Sequence, residues 1–198
     1  HKELLTRWVN AGAEWEKHWS FLKPRKAALP RPSEVRTWAR NPIDHFIRAR
    51  QEAARVTPNT TASPRNLIRR AYFDLVGLPP TPEEVQDFLA SWSRDRDTAM
   101  AELVDRLLDS PHYGERWGRH WLDVARYADN KGYVGVGVNR LYPYSYTYRD
   151  YVVRSLNEDL PFNQFIIEQI AADHLDLKND KRPLAALGFL TLGRRFLN

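Results

Sequence analysis

The sequence predicts an all-α fold of irregular, orthogonally packed helices, with a short extended Tyr/Gly-rich ribbon and a Pro-rich N-terminal linker. Three observations carry that expectation. Apolar residues recur at three- and four-residue spacing from residue 41 onward. Asn41-Pro42, Ser63-Pro64, Thr81-Pro82 and Ser110-Pro111 each put a capping side chain directly before a proline, whose fixed φ suits the first helical turn. The 198 residues are 42% hydrophobic and 28% charged, a composition that buries a core and argues against disorder or a fibrous repeat.

Each element follows in order. Leu4, Leu5, Trp8 and Val9 mark a helix over residues 1–11, and Gly12 offers its stop. Trp15, Trp19 and Phe21 are spaced to anchor extended chain onto a neighbour, and residues 22–40 read as a Pro-rich, solvated linker. Asn41-Pro42 opens a helix to about Ala54 with Ile43, Phe46, Ile47 and Arg50 on its expected buried side. Ser63-Pro64 opens the next, with the stripe Leu67, Ile68, Ala71, Tyr72, Leu75, ended by Gly77 and Pro79-Pro80. Thr81 and Glu84 form a capping box before Val85, Phe88 and Leu89. A further helix spans about 97–108, and Ser110-Pro111 starts one to about Ala128. Tyrosines at every second place from Tyr142 to Tyr148 predict extended chain over 129–147. Helices resume at about 148–158, 162–173 and 184–192.

Charge is unevenly placed. Residues 1–40 hold nine Lys and Arg against four Asp and Glu, whereas residues 41–198 hold twenty-one of each. The balanced body lacks the one-sided basic face that phosphate binding needs, so a nucleic-acid partner is not expected. No apolar run reaches membrane-spanning length, so no transmembrane segment is expected. The chain has no Cys, which removes disulfides, thiolate chemistry and covalent haem attachment within these residues. Gly132-x-x-Gly135-x-Gly137 has neither the order nor the context of a dinucleotide loop.

Three long stretches carry a resemblance: Leu67–Arg70 with Asp74–Val85, Ser110–Trp117, and His120–Asp129, extended by Tyr148–Val152 and Pro161–Phe165. Together they resemble domain of unknown function 1549, found in large exported proteins of planctomycete-type bacteria. The resemblance covers about residues 41–198, and residues 4–15 resemble the closing helix of a planctomycete-type cytochrome c domain. It implies residues 1–21 as the tail of that upstream domain, with 22–40 as the Pro-rich linker and 41–198 as the helical domain, whose core-like last residues, Gly188–Leu190 and Arg194–Leu197, lead us to expect it to be incomplete at its C-terminus. It also implies a periplasmic or extracellular setting. The expected partners are the upstream cytochrome c domain and a downstream domain of the same parent chain. Haem c is expected in the parent, its Cys-x-x-Cys-His motif lying outside these residues.

Within that frame the helix from Ser110 bears two stripes. Trp117, Trp121, Val124 and Ala128 read as core-facing. One position earlier, His112, Arg116, His120, Asp123 and Tyr127 present imidazoles, a cation, a carboxylate and a phenol. Imidazole can ligate haem iron, Arg can bond a propionate and aromatics can pack the macrocycle edge. His112, Arg116, His120, Trp121, Arg126 and Tyr127 are therefore the expected cofactor contacts, in an electron-transfer module. The structural alternative is that Arg116 and Asp123 make ion pairs and His120 packs beside Trp121. The two imidazoles are eight residues apart and cannot chelate one ion unaided, so no metal site is expected. A second candidate set is Asp129, Tyr133, Tyr144, Tyr148 and Arg149. Exposed Tyr and Asp on a Gly-rich loop suit a polysaccharide by stacking and hydroxyl hydrogen bonds. A carbohydrate-binding or carbohydrate-oxidising module, or a structural spacer, are the alternative readings. No residue is assigned to catalysis.

Overall fold

The structure, a computed structural model, describes residues 1–33, 39–130 and 142–192; the regular elements among them are helices, with no strand. The chain divides into two units, His1–Thr60 and Thr61–Asn198.

In the first unit, α1 (Lys2–Asn10) ends where Gly12 takes a φ of 100°, and Trp8 Nε1 donates to the Glu14 carbonyl at 3.1 Å. A 3-10 turn follows at Trp19–Phe21, capped by the His18 side chain. α2 (Pro42–Ala53) starts in a capping box between Asn41 and Asp44. The linker is not wholly solvated. Ser33 donates through its amide (2.9 Å) and hydroxyl (2.6 Å) to Glu52, and the His45 ring meets the Pro30 carbonyl at 3.1 Å. Those bonds correct the expected inner side of α2. His45 and Glu52 face the linker, Arg48 is buried within 4.0 Å of Glu52, and Ile43, Phe46, Ile47 and Arg50 are exposed.

The second unit holds two hydrophobic clusters. The first is built by α3 (Pro64–Leu75), α4 (Pro82–Arg94) and α5 (Arg96–Leu108), around Ile68, Tyr72, Phe88, Leu103 and Leu107. Each buried aliphatic side chain contributes roughly 1.5–3 kcal/mol. Asp95 both ends α4 and caps α5, so one extended residue turns the chain between two helices. Burial pushes the Tyr72 hydroxyl up to about 12, helped by its hydrogen bond to Glu84. Desolvation works against the Glu84 carboxylate. Even so, its bonds with Tyr72 and with the Thr81 amide and hydroxyl hold it below the usual range.

The second cluster joins α6 (Pro111–Val124), α7 (Tyr146–Asn157), α8 (Phe162–Ala171) and a 3-10 stretch, Arg182–Thr191. The helix expected over 184–192 is thus a 3-10 one. The strand expected from the tyrosine alternation is also corrected within the described residues. Residues 143–145 form a turn, with the Ser145 amide donating to the Tyr142 carbonyl, and α7 starts at Tyr146. The rest of the expected ribbon, residues 131–141, lies outside the described residues.

Candidate functional site: a groove between two helices

α6 ends at Val124, not at Ala128. Arg126 adopts a φ of 59° and Tyr127 donates its amide to the Leu122 carbonyl at 2.9 Å, a left-handed termination that swings Tyr127 back over the helix end. The expected core stripe is corrected as well: Trp117 and Val124 are exposed, and Ala128 lies past the helix. The side that packs is Gly114, Gly118, Trp121, Leu122 and Ala125. A Cβ at 114 would overlap the Val153 carbonyl oxygen and lie 2.6 Å from Asn157 Oδ1, and one at 118 would sit 3.3 Å from Val153 Cγ2. Two glycines one turn apart therefore set how closely α6 and α7 approach. Asn157 fastens the contact, accepting from the Gly114 amide at 2.7 Å and donating to the Pro111 carbonyl at 3.1 Å.

Beside this seam runs an open groove of about 790 Å³. α6 lines it with Glu115, Arg119, Leu122 and Asp123, α7 with Arg149, Asp150, Val153, Arg154 and Asn157, and Glu158 and Tyr127 complete the lining. Arg119 and Asp123 approach to 3.9 Å, Arg149 and Asp150 to 3.1 Å, and Glu158 meets Arg182 at 3.4 Å. The walls thus alternate guanidinium donors with carboxylate acceptors and carry little net charge. The bond to Asp150 raises the Arg149 pKa against the opposing effect of desolvation. The Tyr127 hydroxyl donates to Asp129, which also accepts from Ser145 Oγ at 3.3 Å. Desolvation, then the bond to Asp129, raises the Tyr127 pKa, so the phenol stays a neutral donor.

Of the expected cofactor contacts, Tyr127 lines the groove. His112 is exposed and held by Glu115 at 2.8 Å. His120 is exposed beside Trp117, ring centroids 5.3 Å apart. Arg116 turns its side chain over Gly77, its buried Nε without a hydrogen-bond partner among the described residues. Arg126 is exposed at the helix end. Trp121 donates to the Tyr148 hydroxyl at 2.9 Å and to Gln169 Oε1 at 3.2 Å. These side chains point in several directions and do not line the groove as a set, so they do not fit an enclosed haem. Among the described residues, no three His, Asp or Glu side chains gather as a metal site would require.

Of the expected saccharide contacts, Arg149 lines the groove and Asp129 reaches it through Tyr127. Tyr144 is exposed, and Tyr133 lies outside the described residues. Tyr148 is a correction. It is 2% exposed and its hydroxyl donates to Gln169 at 2.6 Å, which makes it a core residue. Arg119, Asp150, Arg154 and Asn157 escaped sequence reasoning. For Arg119, Asp150 and Arg154 the signal was present in the matching i, i+4 spacing of charges, Arg119 with Asp123 and Asp150 with Arg154, on two neighbouring helices; Asn157 gave none.

Residues 42–196 match the model of PSCyt2, a protein family of unknown function (DUF1549), and the chain belongs to that family. Its name links it to cytochromes. No curated protein and no solved structure matches the chain.

Proposed function

We propose that this member of the PSCyt2 family is a saccharide-binding module of a cytochrome-associated protein, with the groove between α6 and α7 as its binding site. The observation that supports the reading is the lining itself: arginine–carboxylate pairs together with a tyrosine. A neutral polyhydroxylated ligand needs donors and acceptors in alternation, and Arg149–Asp150 and Arg119–Asp123 offer both. The near balance of charge gives no field to attract a phosphate or a free cation. An open trough of this size accepts a chain better than it encloses a small metabolite.

Calorimetric titration with neutral and sulfated oligosaccharides tests this. Neutral ligands bind more tightly, and Arg149→Ala weakens them about tenfold or more, the loss of one charged hydrogen-bond donor. The melting temperature barely moves, because Arg149 is exposed. A panel that produces no heat, or an Arg149→Ala chain that binds as well as the parent, defeats the reading.

A second reading, electron transfer, draws on one observation. Tyr127, Tyr148, Tyr151 and Phe165 form a continuous ring series, with centroids 6.3, 6.4 and 5.8 Å apart, and Trp121 lies 4.9 Å from Phe165. In such a series Tyr127 gives one electron to an external one-electron oxidant and its phenolic proton to Asp129. Oxidation by photogenerated ruthenium(III) tris-bipyridine should yield a tyrosyl radical that Tyr127→Phe abolishes in the resonance spectrum. An identical radical in that variant removes the second reading.

A further inference from the structure

The groove wall that α7 supplies does not stop at Arg149. Tyr146, the first residue of α7, precedes Arg149, Asp150, Val153, Arg154 and Asn157 by three, four, seven, eight and eleven places, so all six share one side of the helix. The other side is the buried one, carrying Tyr148, Tyr151, Val152 and Ser155. α6 and α7 run in opposite directions. Gly114 meets Val153 and Asn157, whereas Tyr127, past the end of α6, stacks on Tyr148 near the start of α7. Tyr146 therefore stands at the Tyr127 end of the groove. Helical side chains lean toward the N-terminus, which carries its ring past the Arg149 turn.

The tyrosines around it are engaged within the fold. Tyr127 bonds Asp129, Tyr148 bonds Gln169 and Tyr151 bonds Glu168. Tyr146 is 47% exposed, and among the described residues no hydrogen bond or ring contact holds its side chain. One turn along, Arg149 and Asp150 place a donor and an acceptor beside that free ring face.

We infer that Tyr146 is the stacking platform of the groove, and that the chain it receives is a flat one of pyranose rings with equatorial hydroxyls, as in β-1,4-linked glucose. This rests on the saccharide reading of the groove and adds to it a residue and a sugar class. A pyranose with equatorial hydroxyls shows only axial C–H groups on its faces and carries its oxygens around the rim. Such a face covers an aromatic ring without stripping water from a hydroxyl, while the rim meets Arg149 and Asp150. A trough walled by two antiparallel helices runs straight, and β-1,4 linkage makes a straight ribbon. The α-1,4 linkage coils the same sugar away from the wall.

Calorimetry of the whole chain with cellohexaose and maltohexaose tests the inference. Cellohexaose binds several times more tightly than maltohexaose. Tyr146→Ala weakens cellohexaose roughly fivefold to tenfold, the loss of one aromatic stacking contact. Tyr146→Phe keeps the affinity, because the ring face and not the hydroxyl does the binding. Tyr146→Leu, which retains apolar bulk at the helix start, loses it as alanine does. Irradiating the aromatic protons saturates the axial C–H protons of bound cellohexaose in the parent and not in the alanine variant. The ring is half exposed, so unchanged circular dichroism checks that the variants fold. Undiminished binding by Tyr146→Ala, equal losses in the phenylalanine and alanine variants, or equal affinity for the two hexaoses overturns the inference. Arg149→Ala separates this from the groove itself. If Arg149→Ala weakens cellohexaose and Tyr146→Ala does not, the groove stands and the platform falls; if no oligosaccharide binds the parent, both fall.

Discussion

The two clusters of the second unit are held together by different chemistry. Around Ile68, Leu103 and Leu107 the interior is largely aliphatic, and its polar features sit where helices begin: Thr81 with Glu84, and Asp95 at the joint of α4 and α5. Around Tyr148, Tyr151 and Phe165 the interior is aromatic and threaded by hydrogen bonds. Trp121 and Tyr148 converge on Gln169, and Tyr151 donates to Glu168 at 3.0 Å. The aliphatic cluster asks mainly for volume and caps, with the Tyr72 hydroxyl matched by Glu84. The aromatic one needs each donor matched, because an unmatched polar group there loses its water without a replacement. The groove lies on the second cluster for a related reason. Glycines at 114 and 118 bring α6 and α7 together on one side, leaving long charged side chains to line the trough beside the seam.

The largest effect expected is at that seam. Gly114→Ala drives a methyl into the Val153 carbonyl and the Asn157 amide, where backbone must move, and costs about 3 kcal/mol or more in a thermal melt. Gly118→Ala meets only a side-chain methyl and costs less. Near-equal losses would show that the seam is looser than its geometry.

One substitution in each cluster sharpens the contrast. Leu103→Ala, at 2% exposure, opens a cavity and costs about 2–5 kcal/mol. Gln169→Leu preserves volume but strips the Tyr148 hydroxyl of its acceptor, costing about 1–3 kcal/mol. A neutral Gln169→Leu would mean that packing alone holds the aromatic cluster.

Alkaline pH probes both regions through their tyrosines. The folded-state pKa of Tyr72 is raised from 10.0 to about 12, and burial raises those of Tyr148 and Tyr151 too. The unfolded chain releases these protons first. The stability they hold is therefore complete below pH 10 and drains as pH climbs from 10 toward 12. For Tyr72 the loss is on the order of 2 kcal/mol. Chemical denaturation at stepped pH measures it, and Tyr72→Phe should flatten its share of the slope.

The smallest effect is at the end of α6. Arg126→Gly relieves a left-handed residue and should stabilise by up to about 1 kcal/mol. A loss instead would give the Arg126 side chain a structural task.

Helix starts were legible because a cap is a local event: Ser, Thr or Asn before proline satisfies an amide within three residues wherever it occurs. The stripes of α3 and α4 were legible too, since one face meets one aliphatic interior. On α6 the same reasoning misplaced the core to Trp117 and Val124. A hydrophobic stripe cannot register a glycine, yet Gly114 and Gly118 are where α7 comes closest. The end of α6 was overrun for a similar reason, because nothing in the word Arg126-Tyr127 announces a positive φ. Tyr148 was misread as a surface ligand by its alternation with Tyr142 and Tyr144, which a turn at 143–145 followed by a helix overrides.

Composition and short-range spacing thus determined the helical class, the caps, the placement of charge excess near the N-terminus and a part of the groove's chemistry, in Tyr127 and Arg149. Only the tertiary structure decided which face of α6 is inside, which tyrosine is core and which lines the groove. Those outcomes depend on how near a second helix can approach, a distance set by the absence of side chains at two positions.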